Sequence, residues 1–117
     1  MDIPPVTATL SQQVAALREG VGAHRLDVAV LSLRGRDRAT WLNGMVTQDV
    51  RGVPPGRSVY AAIVGLKGKL LADVWVHGRE DELLLLLPGA RADEVLEHFD
   101  RYIVMEDVYS ARRDAEV

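Results

Sequence analysis

The spacing of apolar residues changes several times along this chain, and each change marks an element. Leu10, Val14, Leu17 and Val21 recur at intervals of four, three and four, one stripe of a helix over 7–20. Thr9 or Ser11 can cap it, and Gly20 or Gly22 can end it. Residues 25–34 then alternate, with Leu26, Val28 and Val30 against Asp27, Ala29, Leu31 and Leu33, as in a strand covered partly on both faces. Gly35 closes it, and Asp37 can cap a short helix over 38–45 whose apolar side is Trp41, Leu42 and Met45. Val53-Pro54-Pro55-Gly56 is a turn, 58–64 and 69–77 are the arms of a hairpin, and 78–81 is another turn. Residues 82–87 are so apolar that both faces of that strand require cover. Pro88-Gly89 breaks it; Ala92, Val95, Leu96 and Phe99 mark a helix over 90–101, and 103–108 returns as a strand. Residues 1–6, with Pro4-Pro5, read as a loose arm and 110–117 as a frayed charged end. The order α-β-α-β-β-β-α-β predicts one α+β domain over 1–117, a mostly antiparallel sheet with helices packed on it.

The most informative stretch is Gly65-Leu66-Lys67-Gly68-Lys69-Leu70-Leu71-Ala72-Asp73-Val74. Gly68 permits the positive φ of a tight turn, and Lys67 and Lys69 leave two cations at its tip. Asp73 is the anomaly, a carboxylate inside an apolar strand. It is either a solvent-facing hairpin residue or a group that needs a partner. The strand positions two away, Leu71 and Trp75, supply no cation.

Charge and composition narrow the function. The net charge of −3, from 14 basic and 17 acidic residues, argues against a general nucleic-acid binder. With no cysteine, the chain offers no disulfide, thiolate ligand or thiol nucleophile, and its 3 histidines, His24, His77 and His98, lie at no metal-ligand spacing. No nucleophile–base pair or phosphate-cradling glycine loop is visible, so no catalytic residue is assigned. No signal peptide is evident, and the longest apolar run, 83–87, is too short to span a bilayer, so the expected location is cytoplasmic, without membrane attachment.

The order of motifs resembles the amino-terminal part of the folate-binding superfamily that contains glycine-cleavage T-proteins and YgfZ-type iron–sulfur assembly proteins. Leu31-Ser32-Leu33-Arg34-Gly35-Arg36-Asp37 is similar to that superfamily's strand and "G-x-D/E" entry. Trp41-Leu42-Asn43-Gly44-Met45-Val46-Thr47-Gln48-Asp49-Val50 is similar to "FLQGxxTxDV", and Val59-Tyr60-Ala61-Ala62 to the "YAA" strand. Lys67-Gly68-Lys69 followed by Leu71-Ala72-Asp73 is similar to "KGR/K-x-x-x-D". The likeness covers about 14–108. Ala72, where a second aspartate would stand, and the Lys-Gly-Lys turn incline it to the YgfZ-type branch.

The resemblance implies a tetrahydrofolate cofactor and the fold of the first T-protein/YgfZ domain. Asp73 would contact the reduced folate, Tyr60 would stack on a flat ring or sit half in the core, and Lys67 and Lys69 would meet an anionic tail or stay a solvated turn. Trp41 is expected in the core, Asp49 as the cap of the following turn, and Arg34, Arg36 and Arg38 as a solvated edge. The implied function is a folate-binding, YgfZ-like domain that supports iron–sulfur cluster assembly or maintenance without catalysing alone. One alternative is a split or degenerate domain that acts through protein–protein association, and another is part of a tetrahydrofolate-dependent aminomethyltransferase. Members of this superfamily are longer, and the YgfZ branch's later Lys-Gly-Cys signature is absent here. The resemblance therefore implies a fragment, a truncated gene or a split subunit, with a second chain or a homodimer partner expected.

Overall fold

The computed structural model describes residues 28–113. The helix expected over 7–20, the start of the first strand and residues 114–117 lie outside them. The strands are β1 (Val28–Arg34), β2 (Ser58–Val64), β3 (Leu70–Gly78), β4 (Glu82–Pro88) and β5 (Tyr109–Arg112), and the helices are α1 (Arg38–Asn43) and α2 (Ala92–Tyr102). The strands form a 5-stranded sheet in the order β2-β3-β4-β1-β5, with every neighbouring pair antiparallel. This is the expected α+β class.

Strand alternation sorts residues between two layers. Leu31, Leu33, Val74, Val76, Leu83, Leu85 and Leu87 meet Trp41 and Leu42 of α1 and Val95 and Phe99 of α2 in one buried core. On the other face Val30, Leu84 and Leu86 form a smaller cluster with Val28 and Trp75 against it. Every residue of 82–87 is buried, as its unbroken apolar pattern requires.

The hairpin joins β2 to β3 in the expected antiparallel register, with an irregularity between Ile63 and Val64. Its tip is a single tight turn over Leu66–Gly68. Gly68 has φ +74°, as anticipated, and Lys67 also adopts a left-handed φ of 61°.

Two expectations need correction. The last strand is not 103–108 but β5, Tyr109–Arg112, paired with β1, so residues 110–112 do not belong to a frayed end. Side chains divert the earlier backbone: the Glu106 carboxylate accepts the amides of Val104 and Met105. The Asp107 amide donates to the Asp37 carboxylate at 2.9 Å, and the Asp37 amide returns a bond to the Asp107 carbonyl at 3.0 Å. The same bonds explain the second correction, since Asp37 makes no side-chain cap to α1. Gly35 makes this junction possible. Its φ is +109°, and a Cβ there would collide with the Asp107 carbonyl oxygen.

Candidate functional site

Asp73 and Tyr60 stand together on the face of the sheet opposite α1 and α2. Within β3, Ala72, Val74 and Val76 turn into the helix-side core, so Asp73, Trp75 and His77 emerge on the other side. In β2, Tyr60 lies directly across from Trp75, and Ala62 across from Asp73. The diagonal brings the Tyr60 phenol close to the Asp73 carboxylate. The nearby Asp73 carboxylate, as an acceptor for the phenol proton first, then some desolvation and the carboxylate's charge, raise the Tyr60 pKa above its ordinary 10.0. Tyr60 is 50% exposed and its ring lies 5.3 Å from that of Trp75, tilted by 55°.

Asp73 is exposed rather than enclosed in the strand, and its near neighbour is a phenol on the adjacent strand. The pair presents a carboxylate acceptor beside two aromatic surfaces. Such a set can hold a flat heterocycle, with the carboxylate accepting ring N–H groups.

The lysines do not join this group. Lys67 and Lys69 are exposed at the tip. Lys69 lines a cleft of about 220 Å³ on the helix side, with Glu94, Glu97, His98 and Arg101 of α2. An anionic tail held there would lie across the sheet from Asp73.

Trp75 was not singled out as a binding residue, although its place two positions from Asp73 makes it a neighbour on the same face. Further along that face lies a buried polar group with no local sequence signal. The Glu82 carboxylate, 2% exposed, accepts from Ser32 Oγ at 2.8 Å, Arg113 Nη1 at 2.6 Å and Arg34 Nη2 at 3.2 Å. Arg79 Nε stands 3.9 Å away. Arg34 thus belongs to an ionic cluster as well as to a solvated edge. Beside it, fully buried His77 has Nδ1 2.9 Å from Ser58 Oγ, and burial, then the Arg79 charge, lower its pKa.

Asp49 caps the turn that follows it, as expected, accepting the Arg51 amide at 3.0 Å. Its paired Arg51 side chain helps hold its pKa at about 2. Among the described residues no group of three or more His, Asp or Glu side chains could hold a metal ion. No helix there is long and apolar enough to cross a membrane.

Comparison with known proteins agrees with the fold and the motif order. The chain is 29% identical over 85 residues to the tRNA-modifying protein YgfZ of Yersinia enterocolitica, covering 73% of this chain and 26% of the relative. It is 32% identical over 83 residues to a probable aminomethyltransferase of Natronomonas pharaonis, covering 69% and 23%. The crystal structure of the glycine cleavage system aminomethyltransferase T from Bartonella henselae aligns with a TM-score of 0.68 at 13% identity, over 74% of this chain and 24% of that one, a likeness of fold. The chain therefore spans about a quarter of the length of these relatives. A family model for the GCVT N-terminal domain matches residues 4–117, nearly the whole sequence, and the chain belongs to that family.

Proposed function

We propose that the β2–β3 face binds a reduced folate, with Asp73 accepting N–H groups of the pterin-type ring and Tyr60 and Trp75 supplying aromatic surface. The observation that carries this reading is the Tyr60–Asp73–Trp75 group, an exposed carboxylate beside a phenol and an indole on one face of the sheet. The chemistry of that donor and acceptor set fits the ligand. Lys67 and Lys69 are assigned to an anionic tail only if the ligand reaches round the β2 edge, because Lys69 lies on the helix side.

The chain acts, in this reading, as a folate-binding module of a YgfZ-like protein that supports iron–sulfur cluster assembly or maintenance, in the cytoplasm. It contributes no thiolate to a cluster, having no cysteine. The similarity to a probable aminomethyltransferase keeps folate-dependent one-carbon transfer as the alternative.

Titration with tetrahydrofolate, followed by tryptophan fluorescence, tests the reading. Saturable binding is expected, weakened in Asp73→Asn by about 1–3 kcal/mol, the scale of a hydrogen bond to a charged group. Trp75→Phe should remove most of the fluorescence response while Trp41 remains. Equal affinity in Asp73→Asn and the parent chain would reject the site.

A further inference from the structure

The helix side of the sheet carries a second surface with its own chemistry. A cavity of about 400 Å³ opens between α1 and the segment after α2, lined by Trp41, Met45, Tyr102, Asp37 and Glu106 among others. The Trp41 indole is fixed: its N–H donates to the Tyr102 carbonyl at 3.2 Å, and its ring stands edge-on to Phe99 at 5.1 Å. Trp41 is 9% exposed, so its indole forms the apolar floor of the cavity and offers no free donor.

The two carboxylates are equally well held. Asp37 Oδ2 accepts the Asp107 amide, and Glu106 Oε1 accepts the amides of Val104 and Met105. Backbone amides, first its own and then that of Val104, keep the Glu106 carboxyl below its ordinary pKa. Each of these bonds uses one oxygen of its carboxylate, and the Arg36 guanidinium near Asp37 is 3.7 Å off and largely in solvent. Next to this mouth, Val104 and Met105 are 78% and 92% exposed, held outward by the Glu106 bonds.

We propose that this surface docks a basic segment of a partner protein, taking a lysine or arginine side chain into the cavity against Trp41 while an apolar neighbour covers Val104 and Met105. A methylene stem suits the apolar lining of Trp41, Met45 and Tyr102, and the two carboxylates suit the cationic head. The exposed Val104–Met105 pair lies outside the cavity, where a small ammonium ion would leave it bare. That selects a polypeptide occupant. The surface is independent of folate binding, because it lies on the other side of the sheet from Asp73.

The readout is the Trp41 indole N–H resonance, assigned with Trp75→Phe. The probe is an acetylated Ser-Leu-Lys-Leu-Lys-Ser amide. A matched peptide with glutamates for lysines is the charge control, and butylammonium is the small-cation control. The lysine peptide should shift the resonance saturably, and added salt should weaken it. The double variant Asp37→Asn with Glu106→Gln keeps the loop acceptors but removes both charges, and should weaken binding by about fivefold or more. Val104→Ser with Met105→Ser should weaken the peptide and leave butylammonium unchanged. The proposal is overturned by no response to the lysine peptide, by an equal response to the glutamate peptide, or by unchanged affinity in the charge variant. It is also overturned if butylammonium binds as tightly as the peptide, which would mark a small-cation site. A shift that grows with protein concentration alone would assign the cavity to a second copy and overturn it likewise.

Discussion

Removing the Glu82 carboxylate should be among the most damaging single changes in this domain. Glu82 is buried at the start of β4, and its two oxygens are shared among Ser32, Arg34 and Arg113, with Arg79 close by. In Glu82→Ala the buried Ser32 hydroxyl loses its acceptor, at about 1–3 kcal/mol for an unsatisfied buried group. Arg113, 17% exposed, loses a partner at 2.6 Å. Breaking a fully buried pair costs about 3–5 kcal/mol, and the partial exposure of Arg113 reduces that to about 1–2 kcal/mol. Arg34 is half exposed and returns to water, so its share is about 0.2–1 kcal/mol.

The expected loss is about 3–5 kcal/mol, a large part of a small domain's stability. With a urea slope of about 1–3 kcal/mol per molar, the unfolding midpoint falls by about 2 M. Glu82→Gln keeps the shape and two acceptor or donor positions but drops the charge, and should lose about half as much. A double-mutant cycle with Arg113→Met should give a coupling energy of about 1–3 kcal/mol, since the cycle subtracts whatever else Arg113 touches. A loss under about 0.5 kcal/mol in Glu82→Ala, or no coupling, would refute the reasoning.

Gly35→Ala should destabilise by more than the roughly 1–3 kcal/mol of a strained backbone, because φ +109° combines with a collision at the Asp107 carbonyl; an unchanged melting temperature would contradict this. His77 has its pKa depressed below 6.5 in the folded chain by burial and by Arg79, so the unfolded chain binds the proton first. Stability should therefore be complete above the unfolded value and fall as pH drops from 6.5 toward the folded one. Urea unfolding at about pH 7.5 and about pH 5.5 should show that loss, and His77→Gln should lessen it. The Tyr60 phenol should ionise above 10.0 in an absorbance titration referenced to Tyr60→Phe, and Asp73→Asn should bring it back toward that value; no movement would mean that the phenol and carboxylate do not meet.

How much was legible depends on whether the controlling contacts are local. The alternation through β1, β3 and β4 and the positive φ at Gly68 are local properties, and the hairpin follows from them. That Tyr60 is the partner of Asp73 requires the register of β2 on β3, and an irregularity at Ile63/Val64 alters that register near the turn. The side of the sheet that receives Lys69 is set by the turn, where Lys67 takes a left-handed φ that no preference of lysine announces. Residues 103–108 have strand-like composition, and the side chains of Glu106 and Asp37 override it. In sequence, Glu82 is a single polar residue opening an apolar strand. Its hydrogen-bond partners lie 50, 48 and 31 residues away, and the nearby Arg79, 3.9 Å off, does not by itself announce the cluster.

The position of β4 decides how mutational results on the β2–β3 face are to be interpreted. β4 lies at the centre of the sheet, between β3 and β1. Its Leu83, Leu85 and Leu87 belong to the helix-side core, while Leu84 and Leu86 support the opposite cluster against which Trp75 packs. Trp75 in turn pairs with Leu86 and contacts Tyr60. A change at Glu82 or Leu84 can therefore weaken the proposed folate binding without either residue touching the ligand, by loosening the support beneath Trp75. Asp73 differs, because its carboxylate is exposed and supports no core residue. Only a binding loss in Asp73→Asn with an unshifted unfolding midpoint bears on recognition itself, and a loss in a Glu82 variant that recovers under conditions restoring its stability belongs to the scaffold.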